Sequence, residues 1–323
     1  MKKRNALIKK YFSNDERFAD LWNGYYGRPL LDADKLITLE PHGVRKSRRK
    51  ETVKELEHDL LKQSCGAGTY GIYGIENQET VDYRMVIRSM SYMLDAYERQ
   101  VEELQAEHTK KGDLGSEEYL SGISKEDRVD PSAVLVVYYG NKPWDGVVDL
   151  HSLLKIKEDS EEYGRLFPNY QMNLLDVQRF QHTERFQTDI RLFFGFLQRK
   201  DNRDDLWTFI KENEKQFQCM PEDAYDVIAS YGGSTVVKKM KEQCKTEGGY
   251  DMCKAFDEMR KEERLKGKKE GKREGKKEGE KCGEEKMAGL IKALLKDNLM
   301  EDVEKVLRNK SYRGKMYKKY GIS

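Results

Sequence analysis

Two apolar segments and the helix between them predict the centre of the fold. Residues 132–139 are apolar almost throughout, which is typical of a strand buried on both faces. Residues 69–78 form a second strand pattern that ends in polar side chains, and residues 82–108 carry an apolar stripe at helical spacing. Strand, long helix and buried strand predict a parallel βαβ unit in an α/β core with a mixed sheet.

Weaker periodicities predict the remaining elements. Helices are expected over residues 11–25, parts of 48–62, 183–200, pieces of 203–245, and 286–308, and one more strand over 170–177. Glycine then recurs every fourth residue at Gly267, Gly271, Gly275, Gly279 and Gly283 among Lys and Glu. Each glycine costs a helix about 1 kcal/mol, so a charged linker is favoured over a helix there.

These patterns divide the chain into four predicted parts. Residues 1–200 form the core, 201–259 a helical extension, 260–285 the glycine repeat, and 286–323 a basic amphipathic arm. From residue 260 onward there are 21 Lys and Arg against 12 Asp and Glu, a net charge of +9, so the first 259 residues carry −7 of the total +2. A basic appendage on an acidic body suits contact with phosphates, and a solvated helix explains it equally well.

Composition narrows the class of protein. No segment approaches the roughly 18 apolar residues of a membrane span, and the basic N-terminus has no apolar run typical of a signal peptide. The five cysteines form no Cys-x-x-Cys pair and the five histidines are scattered. We therefore expect a cytoplasmic protein without membrane contact, disulfide framework or structural zinc.

The polar end of the strand at residues 69–78 is the strongest candidate for chemistry. Alternation along the strand points Glu76 and Gln78 to one face and Asn77 to the other. A carboxylate can hold a hard cation such as Mg²⁺, and a neighbouring amide can orient a water. The candidate carboxylates upstream are Glu51, Glu55, Glu57 and Asp59.

Basic side chains near this strand are candidate phosphate contacts. Arg48, Arg49 and Lys50 directly precede Glu51. Arg84 and Arg88 lie one helical turn apart after Glu76, where they reach a DNA phosphate or stay solvated.

Four ordered blocks carry a family resemblance. They are residues 11–23 (YFSNDERFADLWN), 74–85 (GIENQETVDYRM) continued by 88–92 (RSMSY), 136–146 (VVYYGNKPWDG) and 188–197 (TDIRLFFGFL). In these blocks the chain resembles the recombination-promoting nuclease / putative transposase proteins of bacteria, over about residues 10–290. Glycine-charged repeats near the C-terminus are also common in that family.

The resemblance implies a PD-(D/E)XK nuclease core and a DNA endonuclease that depends on Mg²⁺, with Mn²⁺ as a substitute. By position it implies Glu76 as the carboxylate of the (D/E)XK element and Gln78 in the place of its lysine. It puts Glu51 in the role of the first metal-binding acid, Glu16 as an auxiliary ligand and the backbone carbonyl of Asn77 as a further one.

Two departures from that pattern keep other functions open. Glu51 is one methylene longer than the usual aspartate, and Gln78 can neither donate a proton nor carry charge. A DNA-binding or recombination accessory protein that lost the chemistry is one alternative. A defence or mobile-element component that forms homo-oligomers through its C-terminal arm is the other.

Overall fold

The computed structural model describes residues 2–39, 44–46, 53–55, 59–65, 70–155, 161–232 and 235–322. They fall into two units, Met1–Ala255 and Phe256–Ser323. The strands are β1 Leu36–Thr38, β2 Val44–Lys46, β3 Val53–Glu55, β4 Leu60–Ser64, β5 Gly71–Gln78, β6 Ser132–Tyr138, β7 Asn173–Asp176, β8 Lys245–Thr246 and β9 Gly249–Tyr250.

The helices of the first unit are α1 Lys2–Phe12, α2 Asp15–Tyr26, α3 Met85–Lys111, α4 Leu150–Leu153, α5 Glu161–Leu166, α6 Ile190–Arg199, α7 Arg203–Glu212, α8 Glu214–Phe217, α9 Glu222–Tyr231 and α10 Thr235–Lys239. Helix α11, Met252–Lys296, begins in the first unit and continues in the second, which also holds α12 Met300–Arg308 and α13 Lys310–Lys319.

A mixed five-stranded sheet forms the centre of the first unit, in the order β1-β4-β5-β6-β7. The pairs β1–β4 and β4–β5 are antiparallel, whereas β5–β6 and β6–β7 are parallel. The predicted βαβ unit is confirmed, because β5 and β6 are parallel neighbours joined through α3. The α/β class with a mixed sheet is confirmed with it.

Helix α3 covers one face of this sheet. Met85, Val86 and Tyr92 of α3 pack on Val134 and Val136 of β6, and all five are buried. The alternation along β6 turns its odd-numbered residues to the opposite face. There the aromatic side chains of α1, α2 and α6 form a second apolar layer, which includes the fully buried Tyr11, Phe12, Phe18, Trp22 and Phe193.

Arg17 of α2 joins helices that are far apart in the sequence. Its guanidinium donates to both carboxylate oxygens of Asp189, at 2.7 and 2.8 Å, and to both of Asp223, at 2.6 and 3.0 Å. The Tyr11 hydroxyl donates to Asp189 at 2.8 Å. Burial alone would lower the pKa of Arg17, but its hydrogen bonds to Asp223 and Asp189 raise that pKa above the usual value.

A second carboxylate of α2 fixes the segment before α6. Asp20 accepts hydrogen bonds from the backbone N–H groups of Gln187 and Thr188 and from the Thr188 hydroxyl at 2.6 Å. Arg17 and Asp20 belong to one of the four sequence blocks described above, and Thr188 and Asp189 to another. The two blocks are therefore linked in space by a buried network of charged hydrogen bonds.

The predicted helix within residues 48–62 is wrong for the part that the structure describes. Val53–Glu55 pairs as β3 with β2, and Leu60–Ser64 is β4. In β4, Leu61 is buried with Ile72 and Ala96 on the face of α3, whereas the buried Lys62 turns the other way and its ammonium contacts Asp15 and the Ser13 carbonyl. β4 pairs with β1 on one edge and with β5 on the other, and this pairing outweighs the weak helical spacing of its apolar residues.

The predicted helix over 183–200 is shorter than expected. A 3₁₀ turn spans Thr183–Arg185, and α6 begins only at Ile190, after the segment bound to Asp20. The predictions for the strands at 132–139 and 170–177 and for the helix at 82–108 are confirmed by β6, β7 and α3.

The second unit contains a small apolar cluster of its own. Leu290 and Leu294 of α11 pack with Val306 of α12 and Met316 of α13, and all four are buried. The preference for a linker over residues 260–285 is wrong, since α11 is helical throughout them. Pairs such as Glu262–Lys266 and Lys276–Glu280 stabilise this helix, and the five repeat glycines have no atom within 4 Å of a Cβ position.

None of the helices in the described part of the chain is both long and apolar enough to cross a membrane.

Replacing Arg17 with methionine should strongly destabilise the first unit. The change would leave Asp189 and Asp223 without their buried cation, and such losses typically cost about 3–5 kcal/mol. Chemical denaturation measures the free energy of unfolding. Arg191→Met, at an exposed position of α6, is the matched control and should change it by less than about 0.5 kcal/mol. Equal effects of the two changes would contradict the role of the network.

Candidate active site

The register of the sheet brings two carboxylates together at one end of β5. Leu60 of β4 pairs with Ile75 of β5. Asp59 directly precedes Leu60, so it reaches the end of β5 that carries Glu76. The Asn77 N–H donates to its carboxylate, and its negative charge raises the pKa of Glu76, so the two acids are close to each other.

Glu76 is 4% exposed and lies under the first turns of α3. Its Oε1 accepts hydrogen bonds from Arg88 Nη2 at 2.6 Å and from Gln78 Nε2 at 2.9 Å. The same Arg88 nitrogen donates to the Tyr92 hydroxyl at 2.7 Å. Oε2 of Glu76 is buried and receives no hydrogen bond from the described residues, which is uncommon for a carboxylate oxygen.

Asp59 is held by α1 and by the backbone of β5. Lys9 Nζ lies 2.9 Å from its Oδ1, and Asn5 Nδ2 donates to the same oxygen at 3.3 Å. The Asn77 N–H donates to Oδ2 at 2.8 Å. This last bond fixes the carboxylate of Asp59 against the strand that carries Glu76.

The electrostatics of this pair follow from burial and proximity. Burial raises the pKa of Glu76, and the negative charge of Asp59 raises it further. The positive charge of Arg88 opposes both effects, and the pKa of Glu76 is about 7. Glu76 therefore changes its charge near neutral pH in the absence of a bound cation. Burial would lower the pKa of Arg88, but the charge of Glu76 raises it above its usual value, so Arg88 stays a cation.

The side chain of Asn77 points away from Glu76, as the alternation predicts. Its Oδ1 accepts a hydrogen bond from the Tyr139 hydroxyl at 2.9 Å, on the face opposite to α3. Burial raises the pKa of Tyr139, and the charges of Tyr231, Asp59 and Glu79 raise it further. Tyr139 is therefore a neutral donor at physiological pH.

The family model described as "Putative transposase, YhgA-like" matches residues 3–226 of the 323. The chain belongs to this family. The matched residues include Asp59, Glu76 and Gln78, as well as Lys9 and Arg88, which bind the two acids. No curated protein and no solved structure matches the chain.

Five further candidate residues of this YhgA-like protein are either exposed or outside the described residues. Glu51, Arg48, Arg49 and Lys50 lie outside the described residues, so their roles stay predictions. Glu16 is exposed on α2.

The two arginines after Glu76 differ in their environment. Arg84 is exposed and pairs with Asp82 at 3.0 Å, which leaves it accessible to a partner. Arg88 binds both Glu76 and Asp82. In the structure Arg88 therefore balances the negative charges of Glu76 and Asp82. The sequence had predicted a contact between Arg88 and a DNA phosphate.

Sequence reasoning placed Asp59 among four upstream acids but did not single it out. The deciding information is the β4–β5 register, which was hidden by the false helix over 48–62. Lys9 and Asn5 were missed entirely, although their spacing of four residues on one helix face is the available signal. Within the described ranges, no set of three or more Asp, Glu, His or Cys side chains converges as a metal site, so Asp59 and Glu76 are only a pair.

The raised pKa of Glu76 predicts a pH-dependent gain in stability for Glu76→Gln in metal-free buffer. The folded protein binds this proton more tightly than the unfolded chain, whose carboxyl titrates near 4.5, so the wild type loses stability as pH rises from about 4.5 to 7. The free energy of unfolding of the variant, relative to wild type, should rise by up to about 3 kcal/mol between pH 5 and 8.

Asp32→Asn is the control for this measurement. Hydrogen bonds from Lys35 and the Asp34 N–H lower the pKa of the exposed Asp32 below its usual value, so both its folded and unfolded pKa values lie below the window. Its effect on stability should stay constant between pH 5 and 8. A Glu76→Gln difference that is equally constant would contradict the environment described for Glu76.

Proposed function

We propose that this chain is a Mg²⁺-dependent DNA endonuclease with a PD-(D/E)XK-type core that acts in recombination or on mobile elements. One observation carries the proposal: Asp59, directly before β4, lies close to Glu76 at the end of β5, and a buried Glu76 oxygen lacks a hydrogen-bond donor among the described residues. Membership of the transposase family gives DNA as the expected substrate. The arrangement of one acid beside a Glu-x-Gln strand end is compatible with the PD-(D/E)XK pattern.

The residues present fit a hard divalent cation. Mg²⁺ prefers carboxylate and carbonyl oxygens and keeps several waters, so two protein carboxylates can suffice. Asp59 and Glu76 would hold it, and the Asn77 carbonyl and Glu51 are further predicted ligands. To admit the cation, the ion pairs of Lys9 and Arg88 with the acids would have to open; their side chains are 30% and 32% exposed.

Each protein group then has a defined task in phosphodiester hydrolysis. When bound, the metal ion would polarise the scissile phosphate and favour ionisation of a water. Gln78 would orient the attacking water through its amide, which already lies 2.9 Å from the Glu76 carboxylate. Lys9 and Arg88, released from the acids, would offer positive charge to the pentavalent phosphate as its negative charge grows.

Cleavage of supercoiled plasmid tests this function directly. Wild-type protein should nick or linearise DNA with Mg²⁺ or Mn²⁺ and not with EDTA. Glu76→Gln and Asp59→Asn should each lower the rate more than about 100-fold, since they remove a ligand. Glu212→Gln, at an exposed position of α7, is the matched control and should leave the rate unchanged.

A third substitution separates the two candidates for the first metal-binding acid. If Glu51→Gln is as damaging as Asp59→Asn, both acids serve the metal. If Glu51→Gln is active and Asp59→Asn is not, Asp59 alone takes that role. A well-folded wild type that cleaves nothing under these conditions would overturn the nuclease proposal.

An accessory protein that binds DNA without cutting it is the second candidate function. Gln78 in place of the usual lysine and the pairing of Glu76 with Arg88 favour it. Salt-dependent DNA binding that is unchanged in Glu76→Gln, with no cleavage by either protein, would identify this function.

Homo-oligomerisation through the C-terminal arm is a further proposal, and it rests on exposed apolar side chains of the second unit. Met300 and Leu307 of α12 are 67% and 53% exposed. They lie seven residues apart on one face of α12, and a contiguous exposed apolar patch indicates a contact surface. Met300→Glu combined with Leu307→Glu should convert oligomers into monomers in light scattering after size exclusion. Lys310→Glu, outside this apolar pair, should not. A monomeric wild type would refute the proposal.

A further inference from the structure

A cleft opens beyond the last residues of β5 and β6. Its volume is about 600 Å³, within the range of small-ligand sites. We call it the strand-end cleft and define it by six of its lining residues: Arg4, Glu79, Tyr139, Lys142, Lys200 and Tyr231. Glu79 and Tyr139 directly follow β5 and β6, so the cleft lies at the carboxyl ends of two parallel strands, where α/β sheets commonly bind ligands.

The cleft borders the acids of the candidate active site. Glu79 is the residue after Gln78, and Arg4 is the residue before Asn5, whose amide donates to Asp59. The negative charge of Asp59 also raises the pKa of Tyr139, which lines the cleft. A ligand in the strand-end cleft would therefore lie beside whatever Asp59 and Glu76 hold.

Positive charge exceeds negative charge on the lining of the cleft. Arg4, Lys142 and Lys200 contribute three cations, and Glu79 and Asp145 contribute two acids. Both acids already have partners: Glu79 lies 3.8 Å from Arg4, and Asp145 accepts from the Tyr83 hydroxyl at 3.1 Å.

Neither lysine forms a salt bridge with an acid of the described ranges. Lys142 belongs to the turn after β6, whose backbone is fixed because Arg179 donates to the carbonyls of Asn141 at 2.6 Å and Lys142 at 3.3 Å. The turn thus holds Lys142 at the cleft while leaving its ammonium group uncompensated.

The cations at the cleft repel one another. Burial lowers the pKa of Lys200, and the charge of Arg4 lowers it further against the opposing effect of Asp201. Arg4 is held in place because its guanidinium lies over the ring of Tyr231, 5.3 Å from the ring centroid. An anion between Arg4 and Lys200 would relieve this repulsion, as a phosphate does in many cationic sites.

We infer that the strand-end cleft binds a backbone phosphate of the nucleic acid, adjacent to the phosphodiester at Asp59 and Glu76, through Lys200, Lys142 and Arg4. The inference rests on the proposed function for the identity of the ligand. It adds a positioning site: the cleft fixes the DNA strand so that the scissile phosphate meets the acids. Its cations contact phosphate oxygens, so they confer affinity without base preference.

Binding of a fluorescein-labelled DNA duplex in EDTA tests the inference without any cleavage. Fluorescence anisotropy at several salt concentrations gives affinity and its salt dependence. Lys200→Ala should weaken binding about tenfold and lower the slope of log affinity against log salt by about 1. Lys200→Arg keeps the charge and should restore both. Lys211→Ala, at an exposed position of α7, is the matched control and should change neither.

Inorganic phosphate distinguishes a backbone phosphate from a free one. If phosphate ions displace the duplex from wild type at millimolar concentration while Lys200→Ala is insensitive, the cleft takes phosphate from either source. If they do not, the site requires the polymer. Both results support the inference, whereas equal affinities and slopes for Lys200→Ala and Lys211→Ala overturn it.

Cleavage measured on the same variants separates this inference from the proposed function. If DNA is cut and Lys200→Ala raises KM about tenfold with little change in kcat, both stand. If DNA binding depends on Lys200 but no DNA is cut, the inference about the cleft is supported and the nuclease proposal is refuted. If wild type cuts DNA and Lys200→Ala behaves as the control in both assays, the nuclease stands and the cleft fails.

Discussion

The burial of two neighbouring acids, Asp59 and Glu76, is the constraint on which the candidate site depends. Their side chains are only 8% and 5% exposed, so little water reaches either carboxylate. Each acid is offset by a cation from a different layer, Lys9 from α1 and Arg88 from α3. The site therefore depends on both faces of the sheet being covered, because the loss of either helix would leave a carboxylate uncompensated.

The helices behind the sheet are locked by charged groups as well as by aromatic packing. Arg17 and Asp20 of α2 bind the segment that leads into α6, and Asp223 ties α9 to the same guanidinium. Helix α1 precedes α2 directly and packs against α9. The position of Lys9 beside Asp59 is thus linked through α1 to a network that contains none of the residues proposed for catalysis.

The sequence predicted the elements that have one strong hydrophobic periodicity. It was misleading for the strand whose contacts are with residues far away along the chain. The strongly apolar β6 and the long stripe of α3 predicted the βαβ centre, and with it the position of Glu76. Lys62 shows why β4 escaped prediction: a buried lysine breaks the apolar alternation, and its partner Asp15 is 47 residues away. The importance of Asp59 follows only from the register, and that of Lys9 only from the docking of α1.

The glycine repeat of α11 has a consequence for how the chain unfolds. Its five glycines touch nothing at their Cβ positions, so this part of the helix can open without the loss of any buried side chain at those sites. Leu290 and Leu294 beyond it belong to a separate apolar cluster. Local opening between two cores breaks all-or-none cooperativity, and heat should therefore melt the two units in separate transitions.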